Sequence, residues 1–365
     1  MAADTPIGAI TARAFTIPTD AAEADGTFAW SHTTLVVVTV AGGGNTGLGY
    51  TYSSASVTGL ITGALAETIS GRDVFDVPLC HRLMVNAVRN MGRSGLAATA
   101  ISALDAALWD LKAKLLGLPL AALLGRARES VPIYGSGGFT SYNDAQLTSQ
   151  LGAWVERDGC RMVKMKIGSH PDDDPRRACV AKGAIGDAAL FVDANGAYSV
   201  KEALRIAAVF AAECGVAWFE EPVSSDDLVG LTQVRDAAPP CMDVAAGEYA
   251  FNTDDARHLL ERRAVDVLQC DASRCLGITG FLAVGALCDA HHVDLSGHCA
   301  PALHVHAASA VPRLRHLEWF HDHVRIEHML FDGAPVPQDG AIRPDMTRPG
   351  LGLDFKHQDA ERYAA

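Results

Sequence analysis

Short apolar segments alternate with helical stretches from residue 131 to residue 319. From the second of these segments to the seventh, residues 166, 193, 220, 248, 271 and 298, which lie at or next to the segment ends, are 27, 27, 28, 23 and 27 residues apart. Eight β-plus-α units of this kind are typical of a (β/α)8 barrel, in which all strand ends meet at one face. We therefore predict an α/β fold with a TIM-type barrel, whose strands are Val131–Gly135, Arg161–Ile167, Leu190–Asn195, Val216–Glu221, Met242–Glu248, Ala264–Asp271, Val293–His298 and Leu314–Trp319.

The barrel pattern covers only part of a chain of 365 residues, which is longer than one hydrophobic core usually organises. Before it, a β-branched run at Thr33–Val40 and its partner Leu48–Ser53 predict a hairpin, and three segments of helical periodicity follow. After it, His321–Leu353 is rich in Gly, Pro and Asp and contains no long periodic helix. We predict an α+β N-terminal capping domain over residues 1–125, the barrel over 126–320, and a tail over 321–365 that returns to the cap.

A glycine motif in the predicted hairpin has a second interpretation. Gly42, Gly44 and Gly47 fit G-x-G-x-x-G directly after a strand, which is the dinucleotide-binding fingerprint. The following residues, LGYTYSS, resemble a strand, so there is no helix N-terminus to bind a pyrophosphate. We predict a hairpin turn and no dinucleotide.

The composition excludes some classes of partner. A net charge of −13 repels phosphate backbones and anionic lipids, so we expect no nucleic-acid and no membrane partner. Nine cysteines, an odd number with no CxxC pair, indicate reduced and mostly buried thiols. Met1–Thr11 does not resemble a signal peptide, and no apolar stretch reaches about 18 residues. We expect a cytoplasmic protein.

Side chains alternate along a strand, so each predicted barrel strand has an inward and an outward set. On the second to fifth strands the inward residues are Lys164 and Lys166, Asp193 and Asn195, Trp218 and Glu220, and Ala246 and Glu248. Three carboxylates at neighbouring strand ends repel each other unless they share a cation. Hard oxygen ligands with no Cys or His suit Mg²⁺, so we predict Asp193, Glu220 and Glu248 as its ligands. Glu221 should point outward and cap a helix.

The sixth to eighth strands carry a second polar group. Their inward residues are Gln269 and Asp271, Ser296 and His298, and Glu318. A carboxylate bonded to one imidazole nitrogen orients the ring and raises its basicity, so Asp271 and His298 are predicted to form an acid/base pair. The alternative is a structural Asp271 paired with a group such as Arg274. Glu318 could donate a hydrogen bond if it is protonated, and structural roles are favoured for His304, His306, His321 and His323.

This arrangement predicts a reaction. A substrate carboxylate at the metal would place its α-carbon between Lys166 and His298, and the metal would stabilise the second negative charge of an enediolate. Lys166 must be neutral to act as a base, and Lys164 and Mg²⁺ nearby would lower its pKa.

These motifs resemble the enolase superfamily, and within it the mandelate racemase-like subgroup. V-K-M-K at 163–166 is similar to its K-x-K, whose second lysine is the base. D-A-N at 193–195, F-E-E-P at 219–222 and G-E at 247–248 match its three metal ligands. Q-C-D-A, S-G-H and H-L-E match its Asp–His pair and its electrophilic acid, at Asp271, His298 and Glu318. The resemblance covers nearly the whole chain and implies a cap, a barrel and Mg²⁺.

The resemblance also implies that the cap supplies specificity loops over the mouth. These would be Thr19–His32, with Phe28, Trp30 and His32, and Tyr50–Ser54, with Tyr50 and Tyr52. We expect Trp30, Tyr50, Tyr52 and the barrel residue Asn195 to contact substrate. Such an aromatic, hydroxyl-bearing lid suits a polyhydroxylated acid and also an aromatic one.

Several functions remain open. The leading hypothesis is a Mg²⁺-dependent acid-sugar dehydratase acting on a small-molecule carboxylate, and the nearest alternative is a racemase or epimerase that uses the same proton abstraction. A non-catalytic metal-binding barrel would have no need of two bases. A metallohydrolase barrel usually has H-x-H at the first strand, whereas residues 131–137 contain no histidine. We expect a homo-oligomer.

Overall fold

The structure is a computed structural model that describes residues 5–365. The first four residues of the predicted capping domain therefore lie outside the described residues. The N-terminal part begins with an antiparallel three-stranded sheet of β1 (Ile10–Ala24), β2 (Ala29–Gly42) and β3 (Asn45–Tyr52). Gly42 pairs with Asn45 across a tight turn, in which Gly43 and Gly44 have φ of 55° and 79°. The glycine motif is thus a hairpin turn, as predicted.

Helices cover one face of this sheet. The longest of them, α4, crosses β3 so closely that a Cβ added at Gly47 or Gly49 would lie 2.1 Å from a backbone oxygen of α4. Glycine is therefore needed on β3 for the sheet and the helix to pack. The helices are α1 (Val57–Leu60), α2 (Ala66–Ile69), α3 (Val77–Ala87) and α4 (Leu96–Leu115), and a π-helical turn, Ile61–Leu65, joins α1 to α2.

Eight parallel strands form a closed barrel. Each strand pairs with the next along the chain, and the last pairs with the first, so the predicted TIM-type barrel with an α+β cap is confirmed. All eight predicted strands are present, with ends that differ by a few residues at most. The strands are β4 (Val131–Gly137), β5 (Met162–Lys166), β6 (Ala189–Asp193), β7 (Val216–Glu220), β8 (Asp243–Ala246), β9 (Val267–Cys270), β10 (Asp294–Gly297) and β11 (Leu314–Phe320).

Helices surround the barrel and bury the outward side chains of its strands. The preceding α5 (Leu120–Leu124) leads into the barrel, and the helices that follow successive strands are α6 (Asp144–Glu156), α7 (Asp174–Ile185), α8 (Val200–Val209), α9 (Leu228–Ala237), α10 (Thr253–Glu261), α11 (Gly277–His291) and α12 (Pro301–Ala310). A π-helical turn, Phe210–Cys214, extends α8. The barrel interior is filled by a separate cluster of Tyr134, Phe191, Trp218, Ala245 and Val267.

The predicted alternation is wrong on β8. Ala245 belongs to the interior cluster, whereas Ala246, which was predicted to face inward, packs with the residues under the helices. Gly247 has φ of 134°, and this backbone conformation turns the chain so that Glu248 again faces the mouth. A glycine at this position changes the two-residue period that the prediction assumed.

The C-terminal segment contains a helix that was not predicted, α13 (His321–Leu330), which begins directly after β11. Its remaining elements are β12 (Phe331–Asp332), β13 (Ala341–Ile342), β14 (Asp354–Phe355), α14 (His357–Ala360) and a 3₁₀ turn, Glu361–Tyr363. The segment contacts the cap, because Ala364 bridges to Phe15 and Glu361 forms an ion pair of 3.0 Å with Arg13. The boundaries at residues 125 and 320 stay predictions.

The cysteines differ from the prediction in one pair. Cys179 of α7 and Cys214 at the end of the π-helical turn form a disulfide, with their Cα atoms 4.8 Å apart, so the expectation that all nine are reduced is wrong. The two cysteines are 35 residues apart in sequence and meet because neighbouring helices pack together. The other seven are free thiols, and Cys241 is exposed. Within residues 5–365, no helix combines the length and the apolar character needed to cross a bilayer.

Candidate active site

Three carboxylates meet at the mouth of the barrel. Asp193 ends β6, Glu220 ends β7, and Glu248 lies two residues beyond β8. One oxygen from each lies within 4.8 Å of the others, and the side chains are almost completely buried. Carboxylates so close together in a buried place need a compensating cation. A set of three hard oxygen ligands fits Mg²⁺, which takes few protein ligands and keeps positions for water or substrate.

Both lysines of β5 contact this triad. Lys166 Nζ lies 2.5 Å from Asp193 Oδ2, and Lys164 Nζ lies 2.5 Å from Glu220 Oε1 and 2.8 Å from Glu318 Oε1. Lys164 has no exposed surface, whereas Lys166 lines the cavity described below. The inward direction predicted for both lysines agrees with these contacts, and it leaves Lys166 as the amine that a substrate can reach.

The groups around Lys166 act on its pKa in opposite directions, and Lys164 lowers it, as predicted. Burial lowers the pKa of Lys166, but Asp193 and the other nearby carboxylates outweigh burial and raise it above the ordinary value. The same crowding affects the acids: burial and the charge of Asp193 raise the pKa of Glu220 to about 8. A divalent cation among the carboxylates would oppose their effect on Lys166.

The predicted pair of Asp271 and His298 is formed across neighbouring strand ends. Asp271 Oδ2 lies 2.9 Å from His298 Nδ1, and Asp271 Oδ1 accepts the backbone N–H of Ser273 at 2.7 Å. Burial would raise the pKa of Asp271, but the hydrogen bond and charge of His298 outweigh it and lower the pKa. Arg274 Nε lies 3.6 Å from the same carboxylate. Both predicted partners of Asp271 are therefore present, with the imidazole the closer.

His298 also contacts the triad through its other ring nitrogen, which lies 2.8 Å from Glu248 Oε2. Burial lowers the pKa of His298, but surrounding acidic groups outweigh it and raise the pKa well above the ordinary value. The imidazole thus lies between Asp271, which orients it, and the metal-binding carboxylates.

Glu318 differs from the expected protonated donor. Its oxygens accept hydrogen bonds from Ser136 Oγ at 2.5 Å and from the backbone N–H of Cys299 at 3.0 Å, and Lys164 lies beside them. Burial would raise the pKa of Glu318, but the charges of Lys164 and His298 outweigh it and lower the pKa. These donors favour a carboxylate, because each supplies a proton to an oxygen.

The outward orientation predicted for Glu221 is wrong. Its side chain is 1% exposed and is close enough to Glu248, Asp193 and Glu220 for their charges to act on it. Burial and these charges raise the pKa of Glu221 well above its ordinary value. The strand ends at Glu220, and Glu221 has φ of 38°, a left-handed conformation that breaks the alternation. The cluster of three possible ion ligands does not include it.

A cavity of about 460 Å³ lies above these groups and is closed on one side by the cap. Trp30, Tyr52 and Asn195 line it, as predicted, together with Phe28 and His32. The predicted loop Thr19–His32 is the far end of the β1/β2 hairpin rather than an irregular loop. Other lining residues include Lys166, Glu248, Tyr249, Arg274, His298, Cys299, Glu318, Phe320 and His323.

Tyr50 does not line the cavity, which corrects the prediction. It is completely buried, and its hydroxyl donates to Glu327 Oε1 at 2.6 Å on the unpredicted helix α13. Tyr52, two residues further along the same face of β3, stacks on His323 with ring centroids 3.5 Å apart. The C-terminal helix therefore covers Tyr50 and leaves Tyr52 at the cavity.

Sequence reasoning gave several residues of the cavity wall no role there, and three of them are Cys299, Arg274 and His323. Cys299 Sγ lies 3.3 Å from both His298 Nε2 and Glu318 Oε2. Arg274 was considered only as a partner of Asp271, and His323 only as a structural residue. The position of Cys299 next to His298 is a usable signal, because residues just beyond a barrel strand line the mouth. His304 and His306 accept backbone N–H groups in buried positions, which agrees with their predicted structural roles.

An α+β cap over a closed barrel, with a carboxylate triad between a K-x-K lysine and an Asp–His pair, defines the enolase-superfamily type of enzyme. Residues 146–360 match the enolase C-terminal domain-like family model, and residues 15–125 match the mandelate racemase/muconate lactonizing enzyme N-terminal domain. The chain belongs to the mandelate racemase/muconate lactonizing enzyme family of that superfamily.

Individual proteins resemble the chain over most of its length. L-Talarate/galactarate dehydratase of Salmonella typhimurium is 34% identical over 86% of this chain and 78% of its own. A mandelate racemase/muconate lactonizing enzyme-like protein from Rubrobacter xylanophilus is 49% identical in structure alignment, with a TM-score of 0.96 over 98% of this chain and 99% of that one. A racemase from Streptomyces coelicolor with bound magnesium is 30% identical, with a TM-score of 0.92 over 98% and 100%.

Proposed function

We propose that the protein is a Mg²⁺-dependent acid-sugar dehydratase, which removes the proton α to a substrate carboxylate and then expels the β-hydroxyl. One observation carries the proposal: Lys166 and His298 contact different carboxylates of the triad. Lys166 Nζ lies 2.5 Å from Asp193, and His298 Nε2 lies 2.8 Å from Glu248. A substrate carboxylate held at the triad would then have its α-carbon between an amine and an imidazole.

The metal ion and the protein side chains would have separate roles in this reaction. Asp193, Glu220 and Glu248 would hold Mg²⁺, which would supply positive charge against the negative charge that develops on the substrate carboxylate. Lys166 or His298 takes the α-proton. His298, oriented by Asp271, then donates a proton to the departing β-hydroxyl, so that water leaves and a 2-keto-3-deoxy acid remains after tautomerisation.

Lys164 has a different task from Lys166. It is completely buried and lies within 3.4 Å of Asp193, Glu220 and Glu318. A permanent cation there balances part of the negative charge below the substrate and keeps the carboxylates in place. Its burial prevents direct contact with the substrate.

The dehydratase proposal is supported by the similarity to L-talarate/galactarate dehydratase. The similarity to the magnesium-containing racemase supports a second candidate, a racemase or epimerase in which Lys166 and His298 act on opposite faces of one carbon. Both candidates share the proton abstraction. A non-catalytic barrel is disfavoured because Lys166 and His298 both border the cavity.

A panel of acid sugars and α-hydroxy acids, incubated with enzyme and Mg²⁺ in D₂O, separates the candidates. Formation of a 2-keto-3-deoxy acid supports dehydration, whereas inversion with deuterium incorporation and no loss of water supports racemisation. No conversion across the panel by the wild-type enzyme would contradict both candidates. The homo-oligomeric state and the cytoplasmic location are also proposals, and light scattering of the purified protein tests the first.

A further inference from the structure

A second cluster of possible metal ligands lies outside the carboxylate triad, where the cap meets the barrel. It consists of Asp20 and Glu23 on β1 and His321 at the start of α13, and we call it the hairpin site. One ligand atom from each residue lies within 4.8 Å of the others. The strand pairing of β1 shifts register between Pro18 and Glu23, which bulges Asp20 out towards His321. The site thus joins an irregular part of the cap to the rim of the barrel.

The contacts within the hairpin site leave one ligand atom unused. His321 Nε2 lies 3.0 and 3.1 Å from the two oxygens of Asp20. Glu23 is 1% exposed, and its Oε2 accepts a hydrogen bond from Trp30 Nε1 at 2.7 Å. Its Oε1 is buried and has no hydrogen-bond partner among residues 5–365. A buried carboxylate oxygen without a donor is costly, and a bound ion is one group that would satisfy its lone pair.

The charges around the site also call for a cation. Asp20, Glu23 and the buried Asp322 place three carboxyl groups close together. The fixed positive charge that acts on them is Arg325, which contacts Asp322 and donates to the Pro18 carbonyl at 2.8 Å. A divalent ion bound among these groups would favour their ionised form.

We propose that Asp20, Glu23 and His321 bind a divalent transition metal ion of the Zn²⁺ type. Two carboxylates and one imidazole suit Zn²⁺, with bonds of about 2.0–2.2 Å, better than Mg²⁺, which prefers oxygen ligands alone. Donor atoms up to 4.8 Å apart need to close by only about 1 Å to reach a tetrahedral arrangement. Asp20 and His321 are partly exposed, so water fills the fourth position.

The ion would hold the roof of the active-site cavity in place. Glu23 fixes the Trp30 indole, and Trp30 lines the cavity. His321 follows Phe320, another lining residue, and Phe139 packs edge-on between Trp30 and Phe320 at 5.5 and 5.9 Å. An ion bound by both the cap and the barrel rim would restrict movement of the β1/β2 hairpin above the cavity.

The experiment uses the untagged full-length protein, stripped of metal and then kept in excess Mg²⁺ to fill the triad. Zn²⁺ is titrated by calorimetry, and Co²⁺ is added separately to record its visible absorption bands. We expect one equivalent of Zn²⁺ to bind, and the melting temperature to rise with its concentration. Glu220→Gln, which removes a triad ligand, should keep this binding, which separates the hairpin site from exchange at the triad.

Glu23→Gln, His321→Gln and Asp20→Asn should each weaken Zn²⁺ binding by at least about 10–100-fold. His328→Gln is the matched control, because His328 is exposed on the same helix and lies outside the site. Asp20→Asn changes a partly exposed residue, so it tests the proposal even if the buried Glu23 variant fails to fold. No uptake of Zn²⁺ by the wild type in excess Mg²⁺ would overturn the proposal. Equal uptake by the wild type and all three site variants would mean an adventitious ion only and would overturn it as well. Loss of dehydratase activity alone bears on the proposed function and leaves this result unaffected.

Discussion

The floor and the roof of the active-site cavity are built differently. The floor consists of charged side chains at barrel strand ends, such as Lys166 and Glu220, which are buried and held by ion pairs of 2.5 Å. The roof consists of cap residues, where Phe28 at the hairpin tip is 67% exposed and stacks on Trp30. A floor of mutually compensating charges tolerates little change, whereas a roof with few contacts can vary. We therefore expect the barrel to carry the chemistry and the cap to select the substrate.

The largest effect is expected on the floor. Lys166→Ala and His298→Asn should each reduce turnover to the limit of detection, because each removes one of the two groups that border the α-carbon. The fold should persist, since Lys164 stays beside Asp193 at 3.4 Å. Exchange of the α-proton with D₂O, followed by NMR, is expected to survive in at most one variant. If both variants retain exchange, neither residue is the base.

The next largest effect is expected at Asp271, which contacts His298. Asp271→Asn should lower turnover by about 10²–10⁴-fold, because the imidazole of His298 loses the carboxylate that orients it. The loss of stability should stay below the roughly 3–5 kcal/mol of a fully broken buried pair, because Arg274 keeps its contact with Glu248. Steady-state kinetics and urea unfolding measure the two effects.

Asp294→Asn is the control for that variant, because Asp294 lies at the opposite end of β10, paired with Arg313 and Arg315. It should leave turnover unchanged. A stable and fully active Asp271→Asn enzyme would leave His298 without a defined role.

The third prediction compares two tyrosines of β3, Tyr50 in the core and Tyr52 at the cavity roof. Tyr50→Phe should destabilise the protein by about 1–3 kcal/mol, because the buried Glu327 loses a hydrogen-bond donor, and it should leave KM unchanged. Tyr52→Phe removes a longer contact of 3.4 Å to the His323 carbonyl and should cost less stability. Urea unfolding and KM measurements on both variants check this. A change in KM for Tyr50→Phe would contradict the placement of Tyr50 outside the cavity wall.

The smallest effect is a change in pH dependence. Burial raises the pKa of Glu327 to about 8, whereas the unfolded chain has its ordinary value of 4.5. Between these values the folded state holds a proton that the unfolded state has released, so this group makes stability fall as pH rises from about 4.5 to about 8. Glu327→Gln should flatten that part of the profile in urea unfolding. Glu361→Gln, which changes an exposed ion pair, should leave the profile unchanged, and a wild-type slope in Glu327→Gln would contradict the assignment.

Predictions from sequence succeeded where a strand repeats and failed where the backbone departs from it. Alternation correctly directed Lys164, Asp193 and His298 inward. It failed at Glu221, which has φ of 38°, and at Ala246, which precedes Gly247 with φ of 134°. Both backbone conformations interrupt the two-residue period. Such conformations have no signal in a hydrophobic pattern.

The amino-acid sequence by itself determined the barrel and the positions of the three carboxylates, Lys166 and His298 at its mouth, because period and residue type act locally along each strand. Only the tertiary structure decided which cap residues line the cavity. Tyr50 and Tyr52 are indistinguishable in sequence, and both contact the helix α13, more than 270 positions later in the chain, yet only Tyr52 lines the cavity. The Cys179–Cys214 pairing and the hairpin site likewise depend on segments that meet only after folding. Contacts between distant segments depend on how whole layers pack, and no local pattern encodes that.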